Sequence, residues 1–143
     1  MKSKLLLTAA FSAMLALGAC GGGSGGSSTP AVQVYDVPAL VKTDTVLGTG
    51  AEATATNTLT IKYTGWLYNT TKADNKGTQF DSGTITTPLS RLIAGWIQGV
   101  PGMKVGGKRT LVIPASLGYG AGGQGAIPGN SALVFDIELV AVQ

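Results

Sequence analysis

Leu92-Ile-Ala-Gly-Trp-Ile-Gln-Gly-Val-Pro-Gly102 is the one stretch of this chain that reads as a helix. Leu92, Ile93, Trp96 and Ile97 fall at the one-three-four spacing of an apolar helical face. Glycines at 95, 99 and 102 and a proline at 101 interrupt it, and an interior Gly costs about 1 kcal/mol and Pro about 3 kcal/mol relative to Ala. The helix must therefore be short, with Gly99 at its end, and the glycines let the chain turn into and out of it. A domain with so little helix has to build its core from strands, and Trp96 sits where that core would meet the helix.

Short apolar runs separated by turn residues flank this segment on both sides. Val32 to Val37, stopped by Pro38, and Leu40 to Leu47, stopped by Gly48-Thr-Gly50, read as two strands. Thr58 to Leu67 alternates most clearly, with Leu59, Ile61, Tyr63 and Leu67 on one face and mostly polar residues on the other. Tyr68 to Gln79, rich in Asn, Thr, Lys and Gly, reads as an extended loop. Lys108 to Pro114 and Ala132 to Val142 are strands rich in β-branched residues, the last directing Leu133, Phe135, Ile137 and Leu139 inward and Asp136 and Glu138 outward. One sheet wrapped on one short helix, an α+β architecture, is the economical arrangement, because a lone sheet would leave an apolar face wet.

The first thirty residues stand apart from this domain. Lys2 and Lys4 precede an apolar run from Leu5 to Leu17 and the small pair Gly18-Ala19, the pattern of a secretory signal over residues 1–19. Leu17-Gly-Ala-Cys20 resembles the lipobox of bacterial lipoproteins, which implies a lipidated Cys20 and a membrane anchor; a plain signal with an incidental cysteine is the alternative. Cys20 opens a Gly/Ser-rich tether over residues 20–30, leaving 31–143 as the folded domain. Gly21, rather than Asp, after that cysteine resembles the outer-membrane class facing the periplasm, whereas a Gram-positive owner would carry the protein on its outer face.

Composition removes several function classes. The formal charge of +3 falls once Lys2 and Lys4 leave, no Lys/Arg cluster exists, and nucleic-acid binding has no support. With no histidine and a single cysteine, the Ser-His and Cys-His pairs and every His/Cys zinc set are excluded. Gly118-Tyr-Gly-Ala-Gly-Gly123 matches G-x-G-x-x-G, but Gln124-Gly-Ala-Ile-Pro128 follows where a dinucleotide site needs a helix. It reads instead as a glycine-rich flap carrying one tyrosine. A binding module remains, or an enzyme that needs neither proton transfer nor a nucleophile. Rotation of an X-Pro peptide bond is such a reaction: it opposes amide resonance and takes tens to hundreds of seconds unaided.

Six segments, in order, carry a family resemblance: Tyr63-Thr-Gly65, Phe80-Asp-Ser82, Ile93-Ala-Gly-Trp-Ile-Gln-Gly99, Gly102-Met-Lys-Val-Gly106, Gly118-Tyr-Gly120 with Ile127-Pro128, and Leu133-Val-Phe-Asp-Ile-Glu-Leu139. Together they resemble the FKBP-type peptidyl-prolyl cis-trans isomerases across about Leu40 to Val142. The resemblance implies a bent antiparallel β-sheet wrapped around one short α-helix, and a proline pocket with Trp96 as its floor. Tyr63, Phe80 and Phe135 would be its walls, Leu92 and Ile93 its rim, and Ile127 its cover. Asp81, oriented by Tyr63, would stand near the rotating carbonyl, Tyr119 would donate its hydroxyl to the peptide, and the Ile93 N–H would hold a substrate carbonyl.

The resemblance also implies proline-containing polypeptide clients, macrolide inhibitors of that class, a monomer, and no metal or other cofactor. A peptide-binding chaperone module without turnover is the alternative function. On spacing alone, core packing is at least an equal reading of Tyr63 and Phe135, a buried core tryptophan is the alternative for Trp96, and an exposed turn for Asp81. One departure stands out: between Ser82 and Leu89, where the family often carries phenylalanines, this chain offers only Ile85 as an apolar wall residue.

Overall fold

The computed structural model describes residues 33–143, so the expected signal segment, Cys20 and the tether lie outside the described residues. Five strands form one sheet: β1 (Val41–Val46), β2 (Thr58–Tyr68), β3 (Lys76–Pro88), β4 (Lys108–Ile113) and β5 (Leu133–Val142). Their spatial order is β1-β4-β5-β2-β3, and every neighbouring pair is antiparallel. One α-helix, α1 (Ala94–Gly99), and short 3₁₀ turns at Leu89–Arg91, Ala115–Leu117 and Gly120–Gly122 complete the described residues. This is the α+β architecture expected from the sequence.

Alternation puts one apolar face of this sheet under the helix. Leu59 and Ile61 of β2, Leu111 and Ile113 of β4, and Leu133, Phe135, Ile137 and Leu139 of β5 are all buried there, and Trp96, Val100 and Met103 pack onto them. Each fully buried Leu or Ile contributes about 1.5–3 kcal/mol of transfer free energy. The sheet bends through irregularities in β2, whose register shifts at Gly65/Trp66 and again before Tyr68 against β3, because a bulged strand kinks and twists more strongly.

The glycines that punctuate the helical stretch have a second role besides turning the chain. A Cβ on Gly95 would run into the Ile113 side chain, and one on Gly99 would lie 2.8 Å from Leu111. Close approach of α1 to β4 therefore requires both. Gly102, at φ +91, is the position where the turn itself demands glycine.

Arg109 fixes the other end of α1. Its guanidinium donates to the carbonyls of Gly99 at 2.7 Å and Pro101 at 3.3 Å, and pairs with Asp44 of β1. The buried cation thus satisfies carbonyls that the helix end leaves without intrahelical partners. It also holds the Asp44 carboxyl below the usual carboxylate range, chiefly through the hydrogen bond.

Two sequence expectations are corrected. Residues 33–37 form no strand; they run as an arm whose Tyr35 carbonyl accepts a single backbone bond, from Ala132, so the short apolar run there has no ladder to join. The loop expected over Tyr68 to Gln79 shrinks to residues 69–75, closed by the Asn69 N–H on the Asn75 carbonyl. Lys76-Gly-Thr-Gln79 is polar yet extended because it begins β3, an edge strand facing solvent. The Lys76 ammonium secures that edge, lying 4.6 Å from the Trp66 ring and 2.6 Å from Asp136.

Candidate active site

The strand period and the helix bring five separate parts of the sequence to one cavity of about 100 Å³, lined by Tyr63, Phe80, Asp81, Ile85, Leu92, Ile93, Trp96, Tyr119 and Phe135. Tyr63 comes from β2, Phe80, Asp81 and Ile85 from β3, Phe135 from β5, Trp96 from α1, and Leu92 and Ile93 from its entry. Pockets for drug-sized ligands run to about 300–1,000 Å³, so this one admits a group of side-chain size.

Four aromatic rings make the interior. Trp96 is 3% exposed and meets Tyr63 at 5.4 Å and Phe135 at 5.2 Å between ring centroids, both close to perpendicular. Phe80 meets Phe135 at 5.5 Å in the same manner. Edge-to-face contacts of this kind fix ring orientation and are worth about 0.5–1.5 kcal/mol each beyond burial. The Trp96 indole N–H is buried without a hydrogen-bond partner, enclosed by these rings.

Polar groups gather at one edge. The Tyr63 hydroxyl donates to Asp81 Oδ2 at 2.8 Å, while Asp81 Oδ1 accepts from the Ser82 N–H at 2.9 Å. Both oxygens are thereby oriented, although Asp81 remains exposed on β3. Burial, and then the hydrogen bond to Asp81, pushes the Tyr63 hydroxyl up to about 12. Tyr119 is raised in the same direction by burial and by the Asp81 charge, so both phenols stay neutral donors around neutral pH. Among the described residues there is no group of three or more His, Cys, Asp or Glu able to hold a metal ion. The arrangement can take an apolar ring into an aromatic box and present hydroxyls and one carboxylate to the backbone beside it.

The structure brings together eight of the nine expected site residues of the domain. Ile127 is the exception: it is 6% exposed and packs in the core cluster beside the cavity rather than among its lining residues. Its backbone pairs with that of Gln124 in an isolated antiparallel bridge that tightens the flap. Tyr119, expected to have little core to pack on, is half-buried against it.

Two supporting residues escaped the reading of the sequence. Arg109 looked like one strand charge among several. Gly65 was quoted but given no role: a Cβ there would lie 2.6 Å from Phe135 Cε1 and 2.7 Å from Phe80 Cζ, so its absence makes room for two walls. A glycine inside a strongly alternating strand was the available signal.

Comparison with known proteins gives concordant matches. The model of FKBP-type peptidyl-prolyl cis-trans isomerases fits residues 50–140. The FK506-binding protein of Neisseria meningitidis serogroup B is 44% identical over 104 residues, covering 72% of this chain and 95% of its own. Among solved structures, FkpA from Escherichia coli aligns with a TM-score of 0.64 at 37% identity, over 73% of this chain and 48% of that one. The peptidyl-prolyl cis-trans isomerase of Pseudomonas syringae pv. tomato aligns with a TM-score of 0.63 at 34% identity, over 81% and 84%.

Proposed function

The chain belongs to the FKBP-type peptidyl-prolyl cis-trans isomerase family, and from that premise we propose that it accelerates X-Pro rotation in folding proteins of the cell envelope, by desolvating and twisting the amide in the aromatic cavity. One observation carries the reading: a side-chain-sized aromatic box with an oriented Tyr63–Asp81 pair at its edge.

The prolyl ring enters against Trp96, between Tyr63, Phe80 and Phe135. Burial strips water from the preceding carbonyl, and hydration favours the polar planar amide over the twisted one. Asp81 stands near the rotating carbonyl, Tyr119 donates to the peptide, and the Ile93 N–H, which precedes α1 and lies outside its hydrogen-bond ladder, holds a flanking carbonyl. These contacts act only if they favour the twisted amide over both planar isomers. The uncatalysed barrier is about 18–20 kcal/mol, and lowering it by about 7 kcal/mol accelerates exchange about 10⁵-fold.

Exchange of short X-Pro peptides tests this directly. The parent should accelerate it, and Asp81→Ala and Tyr119→Phe proteins with unchanged circular dichroism should lose most of the acceleration. A folded parent that leaves exchange at the uncatalysed rate, for several residues before proline, overturns the enzyme reading in favour of peptide binding.

The proposal extends to a lipid anchor at Cys20, in the outer membrane and facing the periplasm, supported by Leu17-Gly-Ala-Cys20 and the Gly/Ser-rich segment after it. No helix of the described residues is long and apolar enough to cross a membrane. Incorporation of labelled fatty acid into the parent but not into Cys20→Ser is the expected result; equal labelling of both removes the anchor. Macrolide binding is part of the same reading, since the Neisseria relative is named for binding FK506.

A further inference from the structure

The arm before β1 touches the flap at both of its roots. Asp36 Oδ1 accepts the Ala115 N–H at 2.9 Å, across 79 positions of sequence, and the Tyr35 carbonyl accepts the Ala132 N–H at 2.8 Å. Ala115 opens the segment that carries Tyr119 and Ala132 closes it, just before β5. Two consecutive residues of the arm thus hold the two ends of one functional loop.

The contact at Ala115 has a specific physical reason. Ala115 is the first residue of a 3₁₀ turn, 4% exposed, and its N–H is one of those a helical start leaves unpaired. A Ser, Thr, Asp or Asn just before the turn would ordinarily cap it, but that position is Pro114, which has no side-chain acceptor to offer. Asp36 does so from a distant part of the chain, and the same oxygen accepts the Val37 N–H at 2.8 Å, which fixes its rotamer. Beyond the turn the chain reaches Gly118, whose N–H bonds back to the Pro114 and Ala115 carbonyls, and then Tyr119 at the cavity. The placement of the Tyr119 hydroxyl is therefore inherited from a turn whose first donor is satisfied only by Asp36.

We propose that Asp36 is a positioning residue for the isomerase site, capping the Ala115 turn from the arm and thereby holding Tyr119 against the cavity; this rests on the functional reading given above. It touches neither substrate nor the rotating bond. The proposal requires an acceptor oxygen at residue 36 and does not require charge.

The test uses the full chain, its Asp36→Ala and Asp36→Asn variants, and each of these in a Tyr119→Phe background. Asp36→Ala should raise amide hydrogen exchange across residues 115–131 by at least about tenfold, the factor expected for loss of one hydrogen bond to a carboxylate, while β2 and β5 exchange as in the parent. Its kcat/KM should fall several-fold, Asp36→Asn should restore most of it, and in the Tyr119→Phe background Asp36→Ala should cost little more, because coupled positions are non-additive. Equal losses with and without the Tyr119 hydroxyl, or unchanged flap exchange in Asp36→Ala, overturn the proposal. Should the parent have no isomerase activity, the functional reading fails separately, and flap exchange alone decides whether Asp36 holds the turn.

Discussion

Gly65→Ala is the substitution that most directly probes how the cavity is built, because the glycine itself does not line it. The added methyl would stand 2.6 Å from Phe135 Cε1 and 2.7 Å from Phe80 Cζ. Ordinary carbon contacts lie at about 3.5–4.0 Å, so each ring must retreat by about 1 Å. Phe135 is held at 3% exposure among β5, Trp96 and Tyr63, and Phe80 is set edge-to-face upon it, so the open space that both rings face is the cavity they line. Overpacking of this kind costs about 1–3 kcal/mol, offset by about 0.4–1 kcal/mol because alanine stiffens the unfolded chain. The protein should stay folded, with Tm lowered by up to roughly 15 °C.

Isomerisation should suffer more than stability. A displacement of about 1 Å at a reacting geometry costs up to about 10²-fold, so kcat/KM on an X-Pro peptide should fall about 10- to 100-fold. Gly83→Ala is the matched control: its methyl would meet Tyr63 no closer than 3.8 Å, an ordinary contact, and both Tm and rate should stay near the parent's. The assay is protease-coupled or NMR-detected exchange beside thermal unfolding. If Gly65→Ala keeps the parent's rate and Tm, Phe80 and Phe135 do not define the working pocket, and the reasoning from ring contacts is wrong.

Arg109→Met should destabilise the domain by about 2 kcal/mol, seen as a lower urea midpoint, because the Gly99 and Pro101 carbonyls lose their buried donor. The ion pair also leaves an acid signature: Asp44's folded pKa is depressed, so its stabilisation is present above the unfolded value of 3.8 and is lost as pH falls through the folded one. Acid titration of stability should show a weaker loss over that window in Arg109→Met than in the parent. Tyr63 has the opposite sign, its folded pKa raised to about 12; the stability it contributes is complete below about pH 10 and declines as pH rises towards 12. Tyr63→Phe should shed that alkaline component, and the parent's activity should show no inflection from this hydroxyl near neutral pH. Ile85→Phe should restore an aromatic wall and tighten macrolide binding several-fold by titration calorimetry, and an unchanged affinity would remove Ile85 as a determinant.

The sheet was legible where side chains alternate cleanly. Leu59 and Ile61, and Leu133 through Leu139, announced their strands because one face of each is fully buried. β3 was not, because Lys76 to Gln79 lies on a solvated edge where no apolar period is imposed. The arm misled in the other direction, since Val34 and Val37 belong to a short apolar run ended by Pro38 while Val34 stays 40% exposed. At the site, motif order found the residues that line the cavity, but the supports at Gly65, Arg109 and Asp36 act through contacts 8 to 79 positions away, which no local pattern encodes.

The order of strands has a consequence for biosynthesis. β5 is the last strand in chain order, yet it lies in the middle of the sheet with β4 on one side and β2 on the other. Before it emerges, a growing chain can pair β2 with β3 and β1 with β4, and isolated two-stranded pieces are marginal in water. The apolar faces of Leu59, Ile61, Leu111 and Ile113 then have no Leu133 to Leu139 to bury against. The sheet can therefore close only once the last strand has been made, and a chain cut before β5 would be left with two unjoined strand pairs, a substrate for proteolysis rather than a smaller protein.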